Sequence, residues 1–166
     1  LASAIDYLHL LNIMYGNLKP ENVGFDRDGT LKLFNFGVAK ALTQGKQPHD
    51  TSCYTMTPHV GTHPYVAPEA ARRRPSGISV DTYAFGLLVC EIMTMKEPFA
   101  DLMIHEYTEK VIRRQKRPSL DKKTPVVLNN LMSACWDHDP CKRPIMRDVH
   151  VNLLKFQEQF DVPEAK

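Results

Sequence analysis

The chain has 166 residues, 43% hydrophobic and 24% charged, with a net charge of +2. That is the composition of an ordinary soluble globular domain, long enough for one core, and its charge implies no general affinity for nucleic acid or membranes. The longest apolar stretch, about Tyr83 to Cys90, is far too short to span a bilayer, and no basic-then-apolar leader opens the chain.

In chain order, Leu1, Ala4, Ile5 and Leu8 recur at helical spacing. The chain therefore opens inside a helix with no cap before it, which points to a fragment. Ile13 to Tyr15, Val23 to Phe25 and Leu31 to Leu33 read as short strands, and Asp26-Arg27-Asp28-Gly29 is a turn that makes the last two a hairpin. Residues 41–64 are rich in Thr, Ser, Pro, His and Gly and lack a period, which predicts a long functional loop. From Val80 the pattern is helical. Helices are predicted over 80–95 with Ser79 as cap, 101–114 ending before Pro118, 125–136 and 145–160. The expected fold is mainly α with a small β hairpin.

Cys53, Cys90, Cys135 and Cys141 show neither CxxC nor zinc spacing, so free thiols in a reducing, cytoplasmic setting are expected. His49, His59, His63, His105 and His138 have no metal spacing and read as surface or loop residues. The runs Arg72-Arg73-Arg74 and Arg113-Arg114-Gln115-Lys116-Arg117 read as solvated surface, because acidic residues lie close by.

The most informative residues are Tyr15-Gly16-Asn17-Leu18-Lys19-Pro20-Glu21-Asn22, followed by Asn35-Phe36-Gly37. YGNLKPEN resembles HRDLKPEN, the catalytic loop of protein kinases, and NFG resembles their DFG. Gly61-Thr62-His63-Pro64-Tyr65-Val66-Ala67-Pro68-Glu69 is similar to the GTxxYxAPE that closes an activation segment. Asp81 to Gly86 resembles DxxxFG, Pro98-Phe99 the PF that follows it, and Cys135-Trp136 with Arg143-Pro144 the CW…RP near the domain end. Six motifs in order are a specific signature. The chain resembles the C-terminal lobe of a eukaryotic protein kinase domain, an α+β fold, in the tyrosine-kinase-like group of serine/threonine kinases.

By this resemblance residues 1–160 form the lobe. Residues 1–12 end a helix, 13–37 carry the catalytic loop and NFG, 38–69 are the activation segment, 79–160 are a helical subdomain, and 161–166 are a tail. Nothing in the 166 residues resembles the Gly-rich loop, strand lysine or helix glutamate of an N-terminal lobe, so that lobe is absent from this stretch and ATP would meet half a site.

The resemblance also assigns roles. Asn17 stands where an aspartate accepts the substrate hydroxyl proton. An amide oxygen accepts a hydrogen bond but takes no proton near neutral pH, and general-base help is worth about 10²–10⁴ in rate. Asn35 stands where an aspartate binds magnesium, and hard divalent cations favour carboxylates. Lys19 matches the lysine that contacts the transferring phosphate, and Asn22 matches the second magnesium ligand. Lys19 and Thr62 together resemble the serine/threonine pattern. Val23, Gly24 and Phe25 stand where apolar side chains floor the adenine pocket, and Gly24 removes one of those contacts. Gly16 replaces an arginine that pairs with a phosphorylated activation loop, so Thr51, Ser52, Thr55 and Thr57 are read as simple loop residues. Glu69 is expected to pair with Arg143, Asp81 to hold the catalytic-loop backbone, and Trp136 to fill the core beside Arg143.

Three functions follow as expectations. One is an ATP- and Mg2+-dependent serine/threonine kinase acting on a protein substrate. A second is an impaired, pseudokinase-like module that docks a protein partner on the face around residues 101–117. The third is a relic of a truncated gene.

Overall fold

The computed structural model describes residues 1–42 and 64–159. Helix α1 spans Ala2–Leu10 and buries Ala2, Ile5 and His9, three residues of one helical stripe. Its N-terminal position, Leu1, makes no side-chain cap. Strand β1, Ile13–Met14, then leads into the loop that holds Asn17.

Strands β2, Val23–Phe25, and β3, Leu31–Leu33, pair antiparallel with Val23 opposite Leu33 and Phe25 opposite Leu31. Asp26 closes their turn: one carboxylate oxygen accepts from the N–H groups of Asp28 at 3.0 Å and Thr30 at 2.9 Å. Those bonds, with Lys32 at 3.3 Å, hold the Asp26 carboxyl below its ordinary range. A second pairing was not anticipated. Strand β4, Lys40–Ala41, runs antiparallel to β1, and Leu42 N–H donates to Asn12 O at 2.7 Å. Two residues are too few to show alternation in a sequence.

Helix α2 is one turn, Pro68–Ala71, opened by Pro68 at its first position. Helix α3, Ser79–Thr94, is the centre of the molecule and buries ten of its sixteen residues, from Val80 to Cys90. A helix apolar nearly all round belongs inside a core. Ser79 does not cap it. The preceding Ile78 is already helical (φ −56°, ψ −23°), and a turn from Gly77 to Val80 carries the chain in. At the other end Met95 adopts a left-handed φ of 53° and stops the helix.

The predicted helix at 101–114 starts later. Helix α4 is Ile104–Tyr107, and Glu106 reaches back to Met103 N–H at 3.1 Å, half of a capping box. It continues as a wider π-helical turn, Thr108–Arg113. Helices α5, Val126–Cys135, and α6, Met146–Glu158, follow. Helix α3 packs on α5, and α1 on α6. A Cβ on Gly86 would lie 2.7 Å from Cys135 Cβ, so the α3–α5 crossing requires glycine there. Tyr107, Val111 and Ile112 form a small second cluster, with Phe99 edge-on to Tyr107 at 5.6 Å. No helix among the described residues is long and apolar enough to cross a membrane.

Candidate active site

Three anchors shape the loop between β1 and β2. First, Asp81, 1% exposed on α3, accepts from Tyr15 N–H at 2.8 Å and Gly16 N–H at 2.7 Å. His9 Nε2 lies 3.0 Å from the same carboxylate. A buried carboxylate with three partners is satisfied where an isolated one would be costly. Second, Tyr15 is fully buried; its hydroxyl donates to Phe34 O, and Phe36 meets its ring edge-on at 5.3 Å. Burial, reinforced by Asp81, pushes the Tyr15 phenol up to about 12. Third, Gly16 sits at φ 71°, a left-handed conformation that costs a side chain about 1–2 kcal/mol. An arginine at this point would carry that strain, and glycine relieves it.

Asn22 is 4% exposed, and its Nδ2 donates to Asn17 O at 2.7 Å. Its backbone carbonyl accepts from Phe34 N–H at 2.9 Å, leaving the side-chain oxygen aside. These two bonds bring Asn17, Asn22 and the segment carrying Asn35 together. Asn35 is exposed and left-handed (φ 58°, ψ 68°), a conformation asparagine tolerates better than most residues. Lys19 is half-buried in extended backbone at the start of the single turn Pro20–Asn22.

Asn22 spends its amide nitrogen on the loop, so its carbonyl oxygen is the atom left for a cation, and Asn35 offers another amide oxygen. Two neutral oxygens are a poor set for magnesium, which is held through one or two carboxylates. Among the described residues, no group of three His, Cys, Asp or Glu side chains is placed to hold a metal ion.

Gly24 does not share a face with Val23 and Phe25, because side chains alternate along a strand, and the two that share a face differ in burial. Val23 packs on the core, whereas Phe25 is 71% exposed. The ring of Phe34 lies over Gly24. Sequence reasoning passed over Phe34; its position just beyond β3, across from Asn22, is readable only once the hairpin register is known.

Under the loop, Arg143 and Glu69 meet in a fork, Nη1 to Oε1 at 2.6 Å and Nη2 to Oε2 at 2.9 Å. Arg143 also donates to Ser79 O at 3.0 Å and Asp137 O at 2.9 Å, and its guanidinium lies 5.0 Å from the Tyr83 ring centroid. Trp136 is 5% exposed within the core. Nearby, the buried Tyr65 donates its hydroxyl to Glu91, and burial beside that carboxylate raises the phenol well above its ordinary range.

The basic runs divide. Arg113 and Arg114 pair with Glu109 at the surface, at 3.4 and 2.8 Å. Arg72 and Arg117 are not simply solvated: Arg72 donates to Ile112 O, and Arg117 to Trp136 O at 2.8 Å while lying over Tyr83. His138 lies in the loop after α5, half-buried, and burial together with Arg117, Arg72 and Arg143 lowers its pKa. Thr62, with Thr51, Ser52, Thr55, Thr57, Cys53, His49, His59 and His63, lies outside the described residues.

With this geometry in place, comparison with known proteins gives a single family. The model of the protein kinase domain matches residues 1–152, and the chain belongs to the protein kinase family. A probable LIM domain-containing serine/threonine-protein kinase of Dictyostelium discoideum is 29% identical across the whole chain, which covers 24% of that protein. The dual specificity protein kinase shkE of the same organism is 31% identical over 89% of the chain and 20% of its own length. Mouse cGMP-dependent protein kinase 2 is 44% identical over 60% of the chain and 12% of its own length. The chain thus spans a quarter or less of each of these relatives. Kinases of this family use ATP and Mg2+ and act on proteins.

Proposed function

We propose that this chain is the large lobe of a serine/threonine-type kinase domain whose phosphoryl transfer is strongly weakened, in a protein that works in the cytoplasm. One observation carries the reading: the Asp81 anchor and the Glu69–Arg143 fork are complete, while Asn17 and Asn35 offer amide oxygens where phosphoryl transfer uses carboxylates. Asn17 positions a substrate hydroxyl without taking its proton. Lys19 supplies positive charge to the phosphate that moves.

The test is phosphate transfer from ATP by the full-length natural protein, to itself and to a generic protein substrate. The wild type should be slow or inactive. Asn17→Asp combined with Asn35→Asp should raise the rate by at least about 10²-fold, the lower bound for general-base help alone, and Lys19→Ala should remove the gain. A wild-type rate equal to that of the double variant would defeat the reading.

A second reading, a docking module, draws support from the face around residues 101–117. There Met103 and Ile104 are 66% and 63% exposed beside a groove lined by Pro64, Pro98, Phe99, Leu102 and Tyr107. It predicts function that survives Lys19→Ala and is lost on Ile104→Asp, scored by capture of the protein's cellular partners.

A further inference from the structure

A cleft of about 470 Å³ opens between the segment after the π-helical turn and the loop joining α5 to α6. Arg117, Trp136, Asp137, His138, Asp139 and Lys142 line it, and it shares no residue with the loop of Asn17, Lys19 and Asn22. A volume of this size suits a small ligand.

Positive charge gathers at this end of the molecule. Two guanidiniums lie against the Tyr83 ring, Arg143 at 5.0 Å and Arg117 at 5.2 Å from its centroid. Arg143 has its counter-charge in Glu69. Arg117 has none among the described residues: its Nε donates to Trp136 O at 2.8 Å and its Nη1 to Lys116 O at 3.0 Å, both neutral carbonyls. Arg72 likewise donates to a carbonyl, Ile112 O. A part-buried charge without a counter-charge is costly. His138 registers the excess. Burial first, then Arg117, Arg72 and Arg143, push its pKa down, and the opposing Asp137 contributes least. Lys142, exposed at the end of the turn Pro140–Lys142, adds a further cation at the rim. The two carboxylates of the cleft are partly spent on its own loop. Asp137 accepts from Asp139 N–H at 2.8 Å, and Asp139 accepts from Cys141 N–H at 3.0 Å.

Two groups in the cleft wall are left over. Arg117 Nη2 and His138 Nδ1 are buried and have no hydrogen-bond partner among the described residues. Orphaned buried polar atoms are rare and call for a partner. A phosphate group suits the set, because it brings three acceptor oxygens and up to two negative charges. A carboxylate, with two oxygens and one charge, would leave a donor unpaired.

We propose that this cleft binds a phosphate group, with Arg117 Nη2, His138 Nδ1 and Lys142 Nζ as its donors, and that a phosphorylated side chain of a partner protein supplies it. The cleft takes more than a bare phosphate, which leaves room for the side chain that carries the group. Because both orphaned atoms are covered, the lining side chains turn slightly to admit it. The site holds phosphate as a docking handle and needs none of Asn17, Lys19 and Asn35.

The experiment is phosphorus NMR titration of the full-length natural protein with N-acetyl-phosphoserine amide, N-acetyl-phosphotyrosine amide and inorganic phosphate. At least one phosphoamino acid should bind more tightly than inorganic phosphate. Lys142→Glu should weaken binding about tenfold or more, the usual worth of a hydrogen bond to a charged group. Lys142→Arg should stay close to wild type, and His138→Phe should also weaken binding. Lys142 is exposed, so its variants leave the core intact. Lys19→Ala, at the candidate active site, should leave phosphate binding unchanged. Inorganic phosphate binding as tightly as both phosphoamino acids would overturn the assignment to a protein side chain. No binding of any of the three probes, or binding that Lys19→Ala removes and Lys142→Glu spares, would overturn the site itself.

Discussion

Arg143 is the residue on which the described structure concentrates most polar bonds. Its guanidinium is fully enclosed, with Glu69, Ser79 O and Asp137 O as acceptors. Removing one partner leaves the other buried and uncompensated, so Arg143→Ala should cost about 3–5 kcal/mol. Urea denaturation checks this, and Glu69→Gln, which keeps the shape but loses the charge, should fall short of that cost. Tyr15 gives a different handle. Its phenol is raised from 10.0 to about 12, so the folded state holds the proton more tightly than the unfolded one. The resulting stability is complete below pH 10 and is lost as pH rises through about 12. Alkaline unfolding should therefore accompany tyrosinate formation across that window. In Tyr15→Phe, part of this steep loss should disappear; the buried Tyr83 and Cys135, both raised to about 12, together with Tyr65, Tyr107 and Cys90, which burial also raises, contribute to the remainder.

At the scale of elements, α3 decides the architecture. It lies against α5 closely enough that Gly86 has no room for a methyl group: Cys135 Cβ would be at 2.7 Å and Met132 O at 3.3 Å. Gly86→Ala should therefore destabilise the protein by about 1–3 kcal/mol, although alanine is the better helix former. A lowered urea midpoint with an unchanged m-value is the expected result. A Gly86→Ala variant as stable as wild type would show that the two helices can separate. The hairpin β2–β3 was legible because Asp26 to Gly29 is a strong turn signal between two short apolar runs. The pairing of β1 with β4 was not, since it joins segments twenty-seven residues apart (Ile13 to Lys40) through two residues each. The π-helical turn after α4 was equally hidden: a helical period in sequence does not distinguish one ladder of hydrogen bonds from the next.

Across the whole molecule, long-range polar bonds tie distant segments to one frame. His9 and Asp81 are 72 residues apart, and Glu69 and Arg143 are 74 apart. With α1 on α6 and α3 on α5, the long helices share one core, and Phe99 packs against both it and the small cluster of Tyr107, Val111 and Ile112. Unfolding should then be a single cooperative transition. Trp136, the chain's one tryptophan, reports the core around Arg143, while far-ultraviolet circular dichroism reports all helices together. The two urea transitions should coincide. A separate, earlier loss of helical signal would show that α1 and its strands form an independent unit.

By itself the sequence determined the family and the helical character of the chain. Motif spacing and apolar period are local properties, and they place Asn17, Lys19, Asn22 and Asn35 in one functional vocabulary before any coordinates. The apolar run from Val80 likewise marked the helix that is α3. Only the tertiary structure decided what those residues touch. It separated Gly24 from Val23 and Phe25, because a pleated strand sends neighbours to opposite faces, and it set Phe34 on the glycine. It drew Arg72 and Arg117 out of a seemingly solvated basic surface and onto buried carbonyls. It also placed Ser79 inside α3 as its first residue and not before it as a cap, because Ile78 is already helical. Each of these depends on two segments meeting in space or on a backbone torsion, and neither is written in the order of residues along one segment.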